Sequence, residues 1–167
     1  MKYYKLYFQK SRTGSPVVES IAAWGMYCMS IPFGPMPSSK ELSKNEWADE
    51  DGDDEYIPER LAISGYSMTV KLGFKGDKNS ANASLRKMLG YLTGADGSGV
   101  EMKYYCDYTK EGRSGVRFVK INDDAELVRD DDGDILVVSV ELNVNAPMSD
   151  ITYTTDSDGN IVSLVNS

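Results

Sequence analysis

Residues 66–92 read YSMTVKLGFKGDKNSANASLRKMLGYL, and the period of the apolar positions changes part-way along. Tyr66, Met68, Val70, Leu72 and Phe74 alternate with Ser67, Thr69, Lys71 and Gly73, the two-residue repeat of a strand with one buried face. After Gly76-Asp77 the apolar residues fall at Ala81, Leu85, Met88, Leu89 and Leu92, on one side of a helix. The pattern predicts a strand feeding one amphipathic helix over about 80–93, capped at Asn79 or Ser80 and ended at Gly94. Asn82, Arg86 and Lys87 take its polar face. A helix of about three turns cannot hide its own apolar stripe, so this one must cover a sheet.

The flanks supply that sheet. Tyr4, Leu6 and Phe8 alternate with Tyr3, Lys5 and Tyr7, and Val17 to Met29 is apolar with an ambiguous period that leans to strand around Trp24–Cys28. Pro32, Gly34, Pro35 and Pro37 break regular structure, and one long irregular loop is expected over about 32–58. Trp47 stands in its middle, either as an anchor packed on the body or as a contact for a partner. Downstream, Val100 to Tyr108 alternates, Thr109 to Gly115 turns, and Val116 to Ile121 returns as a hairpin. Leu136, Val138, Val140, Leu142 and Val144 make the longest alternating run. Ile151–Thr155 and Asn160–Val165 flank Asp156-Ser157-Asp158-Gly159 as a terminal hairpin or arm reaching past the body. The fold class is therefore mainly β (β+α), an antiparallel β-sandwich or barrel-like body with one flanking amphipathic helix and a long irregular loop. Residues 1–147 form a single domain in this reading, and 148–167 the C-terminal hairpin or arm.

The residues exclude more chemistry than they suggest. At 167 residues the chain accommodates one domain with a real core. It contains no histidine, which removes the usual general base and every Ser-His or Cys-His nucleophile. No cofactor is implied. Cys28 and Cys106 lack metal-site spacing and read as free, packed thiols. No frame on Gly52, Gly133 or Gly159 fits the helix-loop-helix calcium pattern, since Trp47, Val128 or Thr154 falls where the first acid belongs; calcium at the acidic turns outside that pattern stays open. Gly94–Gly99 follows a helix rather than opening one, and so is a poor phosphate cradle. No stretch of about 18 apolar residues exists to span a membrane, and Met1–Phe8 is too polar for a signal-peptide core, so synthesis in the cytoplasm is expected. The net charge of −8 is concentrated in Glu46–Glu59 and Asp123–Asp134, a surface that disfavours tight nucleic-acid binding.

The order of elements carries one resemblance. An early strand and a long loop lead into Asp51-Gly52-Asp53-Asp54-Glu55-Tyr56-Ile57-Pro58. Then come the strand Tyr66–Lys75, the helix Ser80–Thr93, the hairpin Val100–Ile121, and the strand Ile135–Asn145 closing on Asn145-Ala146-Pro147. Over roughly residues 1–150 this resembles the domain shared by distal tail and tail-tube proteins of long-tailed bacteriophages, a resemblance of pattern without a catalytic motif. It implies a virion component without enzymatic activity, forming a homo-oligomeric ring, most often a hexamer. Such a ring joins adjacent tail proteins around a conduit that DNA passes without tight binding. Trp47, Tyr56, Ile57 and Tyr153 are then candidate subunit or partner contacts, and Asp130, Asp131, Asp132 and Asp134 a candidate lumen-facing acidic loop. Within 167 residues there is no room for the large C-terminal module of many distal tail proteins, which puts an adsorption role in doubt. Two other classes compete: a monomeric β-sandwich module binding carbohydrate or a protein ligand, with Tyr104, Tyr105 and Tyr108 as stacking candidates, and a small carboxylate-dependent hydrolase.

Overall fold

A computed structural model describes residues 4–33 and 37–167, apart from the side chains of Asp123, Asp124 and Asp130. Tyr3, Gly34, Pro35 and the Asp130 side chain thus lie outside the described residues. In chain order the elements are β1 (Leu6–Lys10), β2 (Val17–Glu19), α1 (Ser20–Trp24), β3 (Tyr27–Ser30), β4 (Lys44–Glu46), β5 (Asp53–Glu55), β6 (Tyr66–Gly76), α2 (Lys78–Thr93), β7 (Met102–Cys106), β8 (Glu111–Asp130), β9 (Gly133–Ala146), β10 (Ile151–Thr155) and β11 (Ile161–Asn166).

The alternating run at 66–76 becomes β6, and it pairs in unbroken antiparallel register with β9, from Tyr66 opposite Val144 to Gly76 opposite Asp134. Met68, Val70 and Leu72 on one strand and Leu136, Val138, Val140, Leu142 and Val144 on the other all point to the same buried side. These two strands belong to a seven-stranded sheet in the order β2-β1-β7-β8-β9-β6-β3. Every neighbouring pair is antiparallel. The sheet curls until its ends meet. Cys28 in β3 donates its backbone N–H to the Tyr4 carbonyl at 3.0 Å, an isolated bridge just ahead of β1. The body is a barrel-like antiparallel sheet whose seam, among the described residues, is bridged at that pair.

Helix α2 supplies Ala81, Met88, Tyr91 and Leu92 to the same core as the inward strand residues, with Leu85 half-buried beside them. It begins two residues earlier than the periodicity indicates. Asp77, rather than Asn79 or Ser80, is the cap, its carboxylate accepting from the Asn79 and Ser80 amides at 2.9 Å. Gly94 ends the helix in the left-handed region at φ 77°.

Three expectations need correction. A second helix, α1, occupies the middle of the segment whose period was ambiguous, while the part that leaned to strand leads into β3; Gly25 closes the helix at φ 66°, and its Trp24 is buried against Phe8 and Tyr91. The segment at 32–58 is not one irregular loop, because β4 and β5 pair within it. The turn before β8 falls at 107–110, so the strand starts at Glu111 and runs on through the acidic stretch to Asp130. The hairpin β10–β11 lies on the outer side of β7, where Ile151 and Leu164 are sealed against Tyr105 in a second, smaller core. A Cβ at Gly112 would lie 2.2 Å from the Tyr104 carbonyl and 2.9 Å from Ile151 Cβ, so this docking requires glycine there.

Candidate functional site

Between β3 and β6 the chain leaves the body as a two-stranded arm. At its base, Lys40 donates to the Ala62 carbonyl and Ser64 to the Ser38 carbonyl, each at 2.8 Å, and Ser39 bridges Ile63. Farther out, Tyr56 donates to the Ser43 carbonyl at 3.0 Å, and β4 pairs with β5 from Lys44 opposite Glu55 to Glu46 opposite Asp53. Polar contacts stiffen the outer part: the Lys44 ammonium reaches Glu46 and Asp53 at 3.3 and 3.4 Å, and the Trp47 indole N–H donates to Asp54 at 3.2 Å. Such exposed ion pairs add little stability.

The arm buries almost nothing. Trp47 is 54 % exposed, Tyr56 and Ile57 each 73 %. Of fourteen exposed large hydrophobic side chains among the described residues, five fall between β3 and β6, from Phe33 to Leu61, which concentrates exposed apolar area on this excursion. Of the four sequence-predicted contact residues, the structure puts Trp47, Tyr56 and Ile57 on the arm. Tyr153 is elsewhere, on β10, edge-on to Tyr105 with ring centroids 5.1 Å apart.

The acidic candidates sit at the far end of the barrel. Asp131 and Asp132 are exposed in the turn joining β8 to β9, and Asp134 is half-buried opposite Gly76. The arm springs from the Tyr66 end of β6 and the acidic turn adjoins its Gly76 end, so eleven strand residues, roughly 35 Å, separate them.

Tyr153 walls a groove of about 640 Å³ between β1, β2, α1 and the docked hairpin. Tyr7 and Tyr105 line it with Lys5, Glu19, Asp107, Lys110 and Asn160. Lys5 bridges Glu19 at 3.3 Å, and that hydrogen bond and charge hold the ammonium above its usual range. Burial raises Tyr7 and Tyr105, so both phenols stay protonated donors at neutral pH. No protein-family model matches this chain, and no curated protein matches it.

Among the described residues no group of three or more acid or thiol side chains is placed to hold a metal ion. The Gly-containing acidic turn before β11 is occupied by its own backbone: Asp156 accepts from the Asp158 and Asn160 amides at 2.9 Å, and the Asn160 amide above all holds its carboxyl below the usual range. No helix is long and apolar enough to cross a membrane among the described residues.

One residue with a strong structural role escaped the sequence reading. Lys10, 3 % exposed, donates to the Tyr91 carbonyl at 2.5 Å and the Gly99 carbonyl at 2.7 Å, with its ammonium 4.3 Å from the Tyr91 ring centre. It ties β1 to the C-terminal end of α2, where a cation complements the helix dipole. Burial lowers its pKa. The signal was present: Leu6, Phe8 and Lys10 share the inward face of β1.

Proposed function

We propose that this chain is a structural subunit that assembles with copies of itself into a ring, as a component of a bacteriophage tail in the distal-tail or tube position, and that it is not an enzyme. The observation that carries the reading is the arm. It is hydrogen-bonded along its own length, yet it holds Trp47, Tyr56 and Ile57 in solvent. Large aromatic residues left more than half exposed in the isolated fold are the kind that dominate association energetics when a partner desolvates them. In a ring, each arm would lie on the next subunit, a head-to-tail contact closing by rotation. The phage setting rests on the resemblance of element order alone.

Sedimentation velocity and negative-stain microscopy of the purified chain test it: a discrete ring-sized species is expected, and a strict monomer at high concentration would overturn the reading. In the same reading the Asp131–Asp132 turn faces a passage for DNA, where carboxylates offer phosphates no neutralisation. Neutralising Asp130, Asp131 and Asp132 together should then reduce infectivity of the particle, and unchanged infectivity counts against that placement.

A second reading rests on the groove. Its three tyrosines, with carboxylates, ammonium groups and an amide beside them, suit a carbohydrate or short protein ligand bound by a monomer. Glycan-array binding lost on changing Tyr153 to Ala, in a protein that stays monomeric, would favour it over assembly.

A further inference from the structure

The register between β3 and β6 slips at Met29: Cys28 stands opposite Leu72 and Ser30 opposite Lys71, so Met29 is an extra residue on β3. Such a bulge re-aims a side chain. Cys28 and Leu72 stay buried, while the Met29 sulfur lies over Gly73, so close that a Cβ there would stand 2.7 Å from it. A glycine inside a strand marks this kind of close approach. The thioether becomes one wall of a pocket of about 230 Å³ at the barrel seam. Tyr4 and Tyr108 form another wall, stacked with ring centroids 4.0 Å apart, and Ile31 adds to it. Met29 and Tyr108 are both exposed, so the pocket opens to solvent. Ser30 also lines it and pairs with Lys71, which is exposed on the same outer face of the sheet as Gly73.

The arm carries the complementary features. Of the 26 acidic residues, eight lie between Glu46 and Glu59; the other 18 equal the 18 Lys and Arg, all of which stand outside that stretch. The net charge of −8 therefore resides on the arm. Trp47 is more than half exposed, and its one polar atom is already satisfied by Asp54 at 3.2 Å. Its ring can be buried without stranding a donor, and the bond keeps a carboxylate beside the indole. Among the described residues, nothing from the arm lines the pocket within one chain.

We infer that this pocket receives the arm of a second copy: Trp47 of one subunit fills the space between Met29 and the Tyr4–Tyr108 pair of the next, and Asp54 lies against Lys71. The inference rests on the self-assembly proposed above and names the surface that completes it. Tip and pocket are different parts of one chain, so the contact is heterologous and repeats from subunit to subunit. Two acidic tips repel each other, which disfavours pairing of arm with arm and favours a site edged by a cation. An aromatic anchor desolvated against an adaptable methionine concentrates binding energy in few residues. The charge pair at its margin fixes the register and weakens with salt.

Sedimentation velocity of the full chain tests this. Met29→Glu places a carboxylate at the pocket, and Lys71→Glu reverses the charge beside it; both positions are exposed, so thermal midpoints should hold. The first should weaken association about 100-fold or more and the second about tenfold. Asp54→Lys should weaken it as well, and Asp54→Lys combined with Lys71→Glu should recover most of the loss. In the wild type, acrylamide quenching of Trp47 should fall as concentration rises, Trp24 being buried throughout. With Trp47 replaced by benzoylphenylalanine, photolysis should join that position to Met29, Ile31 or Tyr108 of another chain. A wild type that stays monomeric overturns the self-assembly reading and this inference with it. Oligomers that survive both Met29→Glu and Lys71→Glu overturn this inference alone, as do cross-links only to other surfaces. So does protection of Trp47 that is independent of concentration, which would place it in the pocket of its own chain.

Discussion

Hairpin β10–β11 buries Ile151 and Leu164 to 1 % exposure against Tyr105, whereas the β4–β5 arm leaves Trp47, Tyr56 and Ile57 more than half exposed. Both are two-stranded additions to the same barrel. The difference lies in where their apolar residues stand. In β10 and β11 Ile151 and Leu164 fall on the side packed against Tyr105 of β7, and Gly112 clears the space for Ile151. In the arm, β4 and β5 are polar throughout, and the apolar residues flank the strands instead of forming an inward stripe. One hairpin is completed by its own chain. The other leaves its apolar residues in solvent.

Breaking the arm should therefore change association and leave folding alone. Changing Trp47, Tyr56 and Ile57 together to Ala should weaken self-association by on the order of 100-fold or more, seen as loss of the large species in sedimentation velocity. The thermal midpoint of the dissociated chain should stay where it was. The mirror experiment on the other hairpin has the opposite signature. Ile151→Ala or Leu164→Ala should cost about 3 kcal/mol of folding free energy, measured by urea denaturation, and the amides of both strands should lose hydrogen-exchange protection. Gly112→Ala, by forcing its Cβ into the Tyr104 carbonyl, should cost about 2 kcal/mol by the same assay. Lys10→Met, which touches neither hairpin, calibrates the pair. It leaves the Tyr91 and Gly99 carbonyls without their buried donor and should cost about 2 kcal/mol.

The smallest effect is on pH. Asp156 is held below its unfolded value by the Asn160 amide first and by the Asn160 side chain and neighbouring amides after it. A carboxylate lowered on folding contributes fully above its unfolded pKa, about 3.9, and loses that contribution as the pH falls through its lowered value. Amide exchange in the turn joining β10 and β11 should accordingly speed up, relative to its intrinsic rate, on acidification below about pH 4, and Asp156→Ala should remove the dependence.

Much of the barrel was legible because β6 and β9 alternate without interruption, and a two-residue period needs only local sequence. Helix α1 was not legible: Ser20–Trp24 is too short to show a helical period, and Glu19 ahead of it makes no side-chain cap. The arm's pairing was hidden for the opposite reason, since Lys44-Asn45-Glu46 and Asp53-Asp54-Glu55 are polar on both faces and carry no alternation to read. Trp47, Tyr56 and Ile57 could still be singled out, because large apolar residues amid carboxylates are conspicuous whatever their backbone does. The meeting of Lys10 with the end of α2 depends on register between distant segments. No local pattern encodes that.

The arm also has a mechanical consequence. From Ser38 to Glu46 the outgoing limb counts nine residues, so fully extended it reaches roughly 30 Å at about 3.3 Å per residue. Its root is tightly seated: a Cβ at Gly65 would stand 2.8 Å from the Val144 carbonyl, so the backbones nearly touch where the arm rejoins the barrel. A lever of that length pivoting on so close a contact turns a tilt of about 5° at the root into a tip displacement of about 2.5 Å. Small differences in how the root packs against the end of β9 thus become differences of nearly an atom's diameter in where Trp47 lands.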